Sequence, residues 1–175
     1  MTGEGLETVY EYVSSSEPAV IPTAVSTTSR TSTNQPSQQA CQQDWICNGT
    51  SCYKLVKSSR LSWGKAKEEC EKCKAGLVKV ESLEENDFIK TKLLPTRNNG
   101  SYWIGLSDSA NENDWMWTDG TKLDGYKNWG DNQPDNNKKQ QNCVAIQIRK
   151  SDPDHYGKWH DRRCSQQRKY ICENP

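Results

Sequence analysis

Long apolar runs are missing from this sequence. Its most hydrophobic amino-terminal stretch, Ala19 to Val25, is short and broken by Pro22, far below the roughly 20 residues that a membrane-spanning helix takes. No membrane segment is therefore expected in this chain. Met1 to Val13 is acidic and polar, without the basic start and apolar run of a signal peptide. Net charge is missing too: 23 Lys and Arg balance 23 Asp and Glu. That excludes bulk attraction to nucleic acid or to an anionic membrane, so any binding has to be site-specific. Histidines number two, His155 and His160. They could be imagined on zinc with Asp154 or Asp161, although two imidazoles in a polar loop are usually solvated. No Ser/His/Asp or Cys/His set stands out, and no carboxylate pair is singled out by an apolar setting. An enzyme is not expected.

What the sequence does have is cysteine. Eight of them crowd one small region with no CxxC…CxxC pair or Cys/His cluster for zinc, which fits disulfides made in an oxidising compartment. An extracellular protein is expected, secreted or displayed as the ectodomain of a membrane receptor. Cys70 and Cys73 form one CxxC, which alone would suggest a redox pair. Residues 1–40 read as a disordered tail or stalk: Ser14 to Gln39 is dominated by Ser and Thr with Pro18, Pro22 and Pro36, too few large hydrophobes to offset the entropy of ordering. Within it, Tyr10-Glu11-Tyr12-Val13 has the Tyr-x-x-aliphatic form of a sorting or signalling motif.

From Cys41 to Pro175 aromatics, short apolar runs and turn signals alternate closely, as in one folded domain. Trp63, Ala66, Cys70 and Cys73 recur at three- and four-residue steps, predicting a helix that ends near Gly76 with Cys70 facing the core. Ser82 followed by Glu85 is a capping box for a second helix carrying Phe88, Ile89 and Leu93 on one stripe and ended by Pro95. Strand-like pieces follow at Tyr102 to Leu106, Trp115 to Thr118, Cys143 to Ile148, Lys158 to Asp161 and Lys169 to Cys172. Between Thr118 and Cys143 runs a long loop rich in Asp, Asn, Gly and Lys, whose apolar residues are Leu123, Tyr126 and Trp129. Loops of that length in a compact domain are usually functional or disordered.

Several separate signatures then occur in order: Trp103-Ile104-Gly105-Leu106, Trp115-Met116-Trp117-Thr118-Asp119-Gly120, Gln133-Pro134-Asp135 and Trp159-His160-Asp161. Together with the cysteine spacing they resemble the C-type lectin family, in its long form with a QPD motif. The resemblance implies an α+β fold with two helices, small antiparallel sheets and a long loop, stapled by disulfides. It implies the pairs Cys70 with Cys172, Cys143 with Cys164 and Cys41 with Cys52, which leaves Cys47 and Cys73 for each other.

The resemblance also implies a calcium ion in the long loop, whose shell is completed by two sugar hydroxyls. Calcium is a hard cation wanting 6 to 8 oxygens. Gln133, Asp135 and Asp161 fall on the family's ligand positions, with Pro134 where the family has a cis peptide bond. Two positions depart from the pattern: Gln141 stands where the family has Glu, and His160 where it has Asn. The implied metal ligands are Gln133, Asp135, Gln141 and Asp161, and the sugar-binding set adds His160. An auxiliary calcium site would draw on Asp108 and Glu112, with Asn136, Gln141 and Asn142 where carboxylates often stand. QPD goes with galactose-type ligands in the family, although Asn136 and Asn137 follow where galactose binders tend to carry Trp. The alternative expectation is a metal-independent receptor or secreted domain that recognises a cell-surface protein. Asn48-Gly49-Thr50 and Asn99-Gly100-Ser101 are acceptor sequons for extracellular glycosylation.

Overall fold

The computed structural model describes residues 43–95, 99–149, 151 and 153–175. All lie in the second of two units, Asn34–Pro175; the expected stalk, the Tyr10 motif and Cys41 fall outside them. No helix among the described residues is long and apolar enough to cross a membrane.

Helix α1 (Trp63–Lys72) buries Ala66 and Cys70, the stripe that its spacing predicts. It ends earlier than expected, because Lys74 turns left-handed at φ 55° and Gly76 belongs to a strand. Helix α2 (Leu83–Phe88) begins at the expected cap, where Ser82 Oγ accepts from Glu85 N at 3.1 Å. It continues as a π-helical turn, Ile89–Leu93, that keeps Ile89 and Leu93 buried.

The strands are β1 (Ile46–Asn48), β2 (Ser51–Leu61), β3 (Gly76–Leu77), β4 (Gly100–Ser107), β5 (Met116–Trp117), β6 (Cys143–Ile148), β7 (Trp159–Arg162) and β8 (Arg168–Asn174). They join in one sheet, in the order β1-β2-β8-β4-β6-β7, with β3 on β8 and β5 on β4. Every pairing is antiparallel except β4 with β8. Alternation along β4 divides the core into two layers. Tyr102, Ile104 and Leu106 pack with Val144, Ile146, Trp117 and Trp159. Trp103 packs with Ala66, Cys70, Ala145 and Tyr170 beside α1. Trp103, Trp117 and Trp159 are core residues, as aromatic side chains in strand runs tend to be.

Two expected disulfides are present, Cys70–Cys172 and Cys143–Cys164, and the first excludes a Cys70–Cys73 redox pair. Two other pairings are corrected. Cys52 is bonded to Cys47, not to Cys41, and Cys47 is therefore not bonded to Cys73. The reason is the register: Gly49 at φ 63° and Thr50 form a two-residue turn, which sets Cys47 directly opposite Cys52. Cys73 is itself disulfide-bonded, and no described cysteine is free.

Candidate functional site

The long loop is pinned to β7 by its few aromatic residues. Trp159 is fully buried and meets Trp117, Tyr126 and Trp129 edge-on at 5.8, 5.8 and 5.9 Å between ring centres. The backbones are joined as well: Trp159 N donates to Asn128 O at 2.8 Å, and Gly130 N to Trp159 O at 2.9 Å. Asn128 ties a further loop, donating from Nδ2 to Gly157 O and accepting from Lys158 Nζ, both at 2.9 Å. A stretch that looks structureless in sequence is thus anchored at its middle, and the residues after Gly130 are carried to the end of β7.

There the Gln133–Pro134 peptide bond is cis, as the resemblance implies. Asp161, next to buried Trp159 and His160 on β7, is itself fully buried. Its carboxylate accepts from Asp135 N at 3.2 Å and Asn136 N at 2.6 Å. Asp135 Oδ1 accepts from Gln141 Nε2 at 2.5 Å and Asn137 N at 3.1 Å. Asn136 links this group outward: its Nδ2 donates to Glu112 Oε1 and its Oδ1 accepts from Gln141 N at 3.2 Å. Asp108 is buried, with Oδ2 accepting from Asn113 N at 2.9 Å. The structure therefore brings Asp135, Gln141, Asp161, Asn136 and Glu112 into one connected network. Left-handed conformations at Asn132, Asn136, Lys138 and Lys139 give the chain its tight course here; at the lysines, which lack the short side chain that eases this conformation, they are costly.

Burial pushes the Asp161 carboxyl up, although the N–H groups of Asn136 and Asp135 work against it. Burial also pushes Asp108 up, with Glu112 and Asp161 adding like charge. His160 is held down to about 4, first by burial and then by Arg162, His155 and Arg149. It is a neutral imidazole at physiological pH.

Three buried polar atoms around the network lack hydrogen bonds: Gln133 Oε1, Asp108 Oδ1 and His160 Nε2. The first two are oxygens of the kind calcium takes, and with Asp135 and Asp161 they suit a hard cation. His160 does not fit one, because an imidazole offers nitrogen. The donor set thus fits calcium with a reduced complement of anionic oxygens. No group of three or more His, Cys, Asp or Glu among the described residues is placed to hold a metal, which gives zinc at His155 and His160 no support.

One site residue is not legible from motif spacing. A Cβ on Gly130 would lie 2.7 Å from His160 Nε2, so the bulkier ring at the WND-like position has room because residue 130 is glycine. Gly130→Ala is expected to destabilise the domain by about 1 to 3 kcal/mol through overpacking. Chemical denaturation checks this, and Gly130→Ala combined with His160→Asn should recover most of the loss.

Comparison with known proteins gives these residues their context. A family model described as Lectin C-type domain matches residues 59–174. The hepatic lectin of Gallus gallus is 33% identical over 125 residues, which cover 71% of this chain and 55% of that protein. Asialoglycoprotein receptor 2 of Homo sapiens is 34% identical over 80% of this chain and 42% of its own length. The chain spans about half the length of these relatives. Among solved structures, the mouse scavenger receptor C-type lectin carbohydrate-recognition domain has a TM-score of 0.65 at 34% identity, covering 77% of this chain and 95% of that one. The relatives so matched are lectins and receptors by name. With two thirds of its length matched by the family model and the fold shared with these domains, this chain belongs to the C-type lectin domain family.

Proposed function

We propose that the domain is an extracellular carbohydrate-recognition module that uses calcium weakly and prefers galactose-type sugars. The observation that carries this reading is the hydrogen-bonded grouping of Asp135, Gln141 and Asp161 beside cis-Pro134, with Gln133 Oε1, on the other side of that bond, buried and lacking a hydrogen bond. Calcium, when bound, supplies a charge on which two neighbouring sugar hydroxyls can complete the oxygen shell. The chain's own groups do the selecting: the Asp135 carboxylate accepts from a hydroxyl, and the Gln133 amide donates to one. Asn136 and Asn137 offer no aromatic platform for the apolar face of the ring, so the galactose preference rests on the order of amide and carboxylate. Asn48 and Asn99, both exposed, are proposed as glycosylated, and the domain as secreted or part of a receptor ectodomain. A glycan array read with calcium and with chelator tests the reading: galactose-type binding that disappears in chelator is expected.

The weakness of the site is itself testable. Extracellular modules bind calcium at about 0.1 to 1 mM, and the native domain is expected at that level or weaker. Gln141→Glu adds a carboxylate, and His160→Asn exchanges a ring nitrogen for an oxygen. Together they should tighten calcium binding at least about tenfold, or about 1.4 kcal/mol, by calorimetry.

A specific observation favours a second reading, a metal-independent module that binds a protein. Both Asp161 oxygens already hold backbone N–H groups, and Asp135 Oδ1 holds the Gln141 amide, so these acceptors have protein partners of their own. A calcium-independent type II antifreeze protein is among the similar structures, with a TM-score of 0.64 at 27% identity, covering 77% of this chain and 93% of that one. A folded double variant that stays blind to calcium, with no glycan signal on the array, would replace the first reading by this one.

A further inference from the structure

Asn136 and Asn137 follow Asp135 in the long loop, and Lys138 and Lys139 follow them. Both lysines are held in a conformation that lysine disfavours. Their φ angles are 60° and 52°, with Asn136 before them at 38°. In the left-handed region the β-carbon crowds the following carbonyl, and a lysine, unlike an asparagine, has no short polar side chain to bond the backbone locally. Such outliers persist where the surroundings hold them, and they gather at ligand clamps.

The turn that carries these lysines closes on a residue of the candidate sugar site. Asp135 Oδ1 accepts from Asn137 N at 3.1 Å, just before the lysines, and from Gln141 Nε2 at 2.5 Å, shortly after them. Lys139 N donates to Asn136 O at 2.7 Å, and Gln141 N to Asn136 Oδ1 at 3.2 Å, which fixes the backbone on both sides. Both lysines are exposed. Ion pairs among the described residues are made by Lys67, Lys72, Lys79 and Lys122, so neither Lys138 nor Lys139 is joined to a carboxylate there. The carboxylates of the network are engaged otherwise: Asp135 and Asp161 by N–H groups of the loop, and Glu112 by Asn136 Nδ2.

We infer that Lys138 and Lys139 form a cationic subsite for the acidic substituent of a charged galactose-type sugar, one carrying a sulfate or a carboxylate. The inference rests on the sugar site proposed above and names its ligand class. An ammonium group is a compact point charge with three donors, and it meets an oxyanion through charge-assisted hydrogen bonds. Asn136 and Asn137 supply no aromatic platform, so charge is what the chain after Asp135 offers a sugar beyond a calcium shell. Asparagine at both lysine positions would ease the backbone but bring no charge.

The test uses the full chain on surfaces coated with a neutral, a sulfated or a sialylated galactoside, each read in calcium and in chelator. In calcium at about 0.15 M salt, a charged galactoside is expected to bind at least about threefold tighter than the neutral one, a preference that shrinks as salt is raised. The sulfated and sialylated arms show which acidic group is preferred. Lys138→Asn with Lys139→Asn should abolish the preference, with a thermal melt that is unchanged or higher. Lys65→Asn with Lys74→Asn, at exposed positions on and just after α1, removes the same charge elsewhere and should leave the preference intact. Equal calcium-dependent binding of neutral and charged galactosides would overturn the inference while the sugar site stood. A preference that survives in the Lys138 and Lys139 variant, or is lost in the Lys65 and Lys74 variant, would overturn it as well. Absence of calcium-dependent binding to any of the galactosides would remove the sugar site itself, and the inference with it.

Discussion

Replacing Cys70 and Cys172 together with alanine is expected to cost the domain about 4 to 5 kcal/mol. The bridge spans 102 residues, and closing a loop of about 100 residues removes about 4.7 kcal/mol of chain entropy from the unfolded state. The Cys143–Cys164 bridge lies inside that span and shortens the free path by about a fifth, which the logarithmic dependence turns into only about 0.2 kcal/mol. Both sulfurs lie in the layer between α1 and β8, with Cys70 fully buried, so the double replacement leaves little polar debt and a small loss of packing. Denaturant unfolding of the reduced-proof variant against the parent measures the difference. A loss under about 2 kcal/mol would mean that the unfolded chain is already restrained between these points.

Trp159→Ala carries the second large effect, about 3 to 5 kcal/mol as for other buried aromatic truncations. Its distinguishing feature is where the damage goes. Trp159 is the ring against which Trp117, Tyr126 and Trp129 pack, and its Nε1 donates to buried Asn86 Oδ1 at 3.4 Å. Removing it opens a cavity under the long loop and leaves the Asn86 oxygen without that donor. Amide exchange from residue 123 to residue 142 should accelerate well beyond that in α1, and any calcium or glycan binding should fall with it. Trp159→Phe keeps most of the apolar area and should lose less. Uniform acceleration across both layers of the core would show instead that the loop is not anchored through this ring.

The two helices and the strand-like pieces from Tyr102 onward were legible because each rests on local pattern, whereas the Cys70–Cys172 and Cys143–Cys164 bridges were implied only by the resemblance to the family. Ser82 and Glu85 cap α2 by adjacency along the chain, and Cys70 faces the core by helical periodicity. Strand β2 was not read as a strand, because Lys54, Lys57, Ser58, Ser59 and Arg60 break up its apolar residues. What holds it is pairing with β8 from Cys52↔Asn174 to Val56↔Tyr170, and long-range pairing leaves no local signature. The π-helical turn at Ile89–Leu93 was unreadable for a different reason: its buried face suits an ordinary helix equally well.

At the site, the motifs and their resemblance to the family pointed to candidate residues. Gln133, Asp135, Gln141, His160 and Asp161 were all identified by motif and order along the chain. Tertiary structure decided how each one is held. Register across a two-residue turn chose Cys47 for Cys52. Packing placed His160 beneath Gly130, where a buried ring nitrogen stands without a hydrogen bond. Motifs report on residues close in sequence, whereas burial and electrostatic neighbours belong to residues close in space, and here a strand register separates the two.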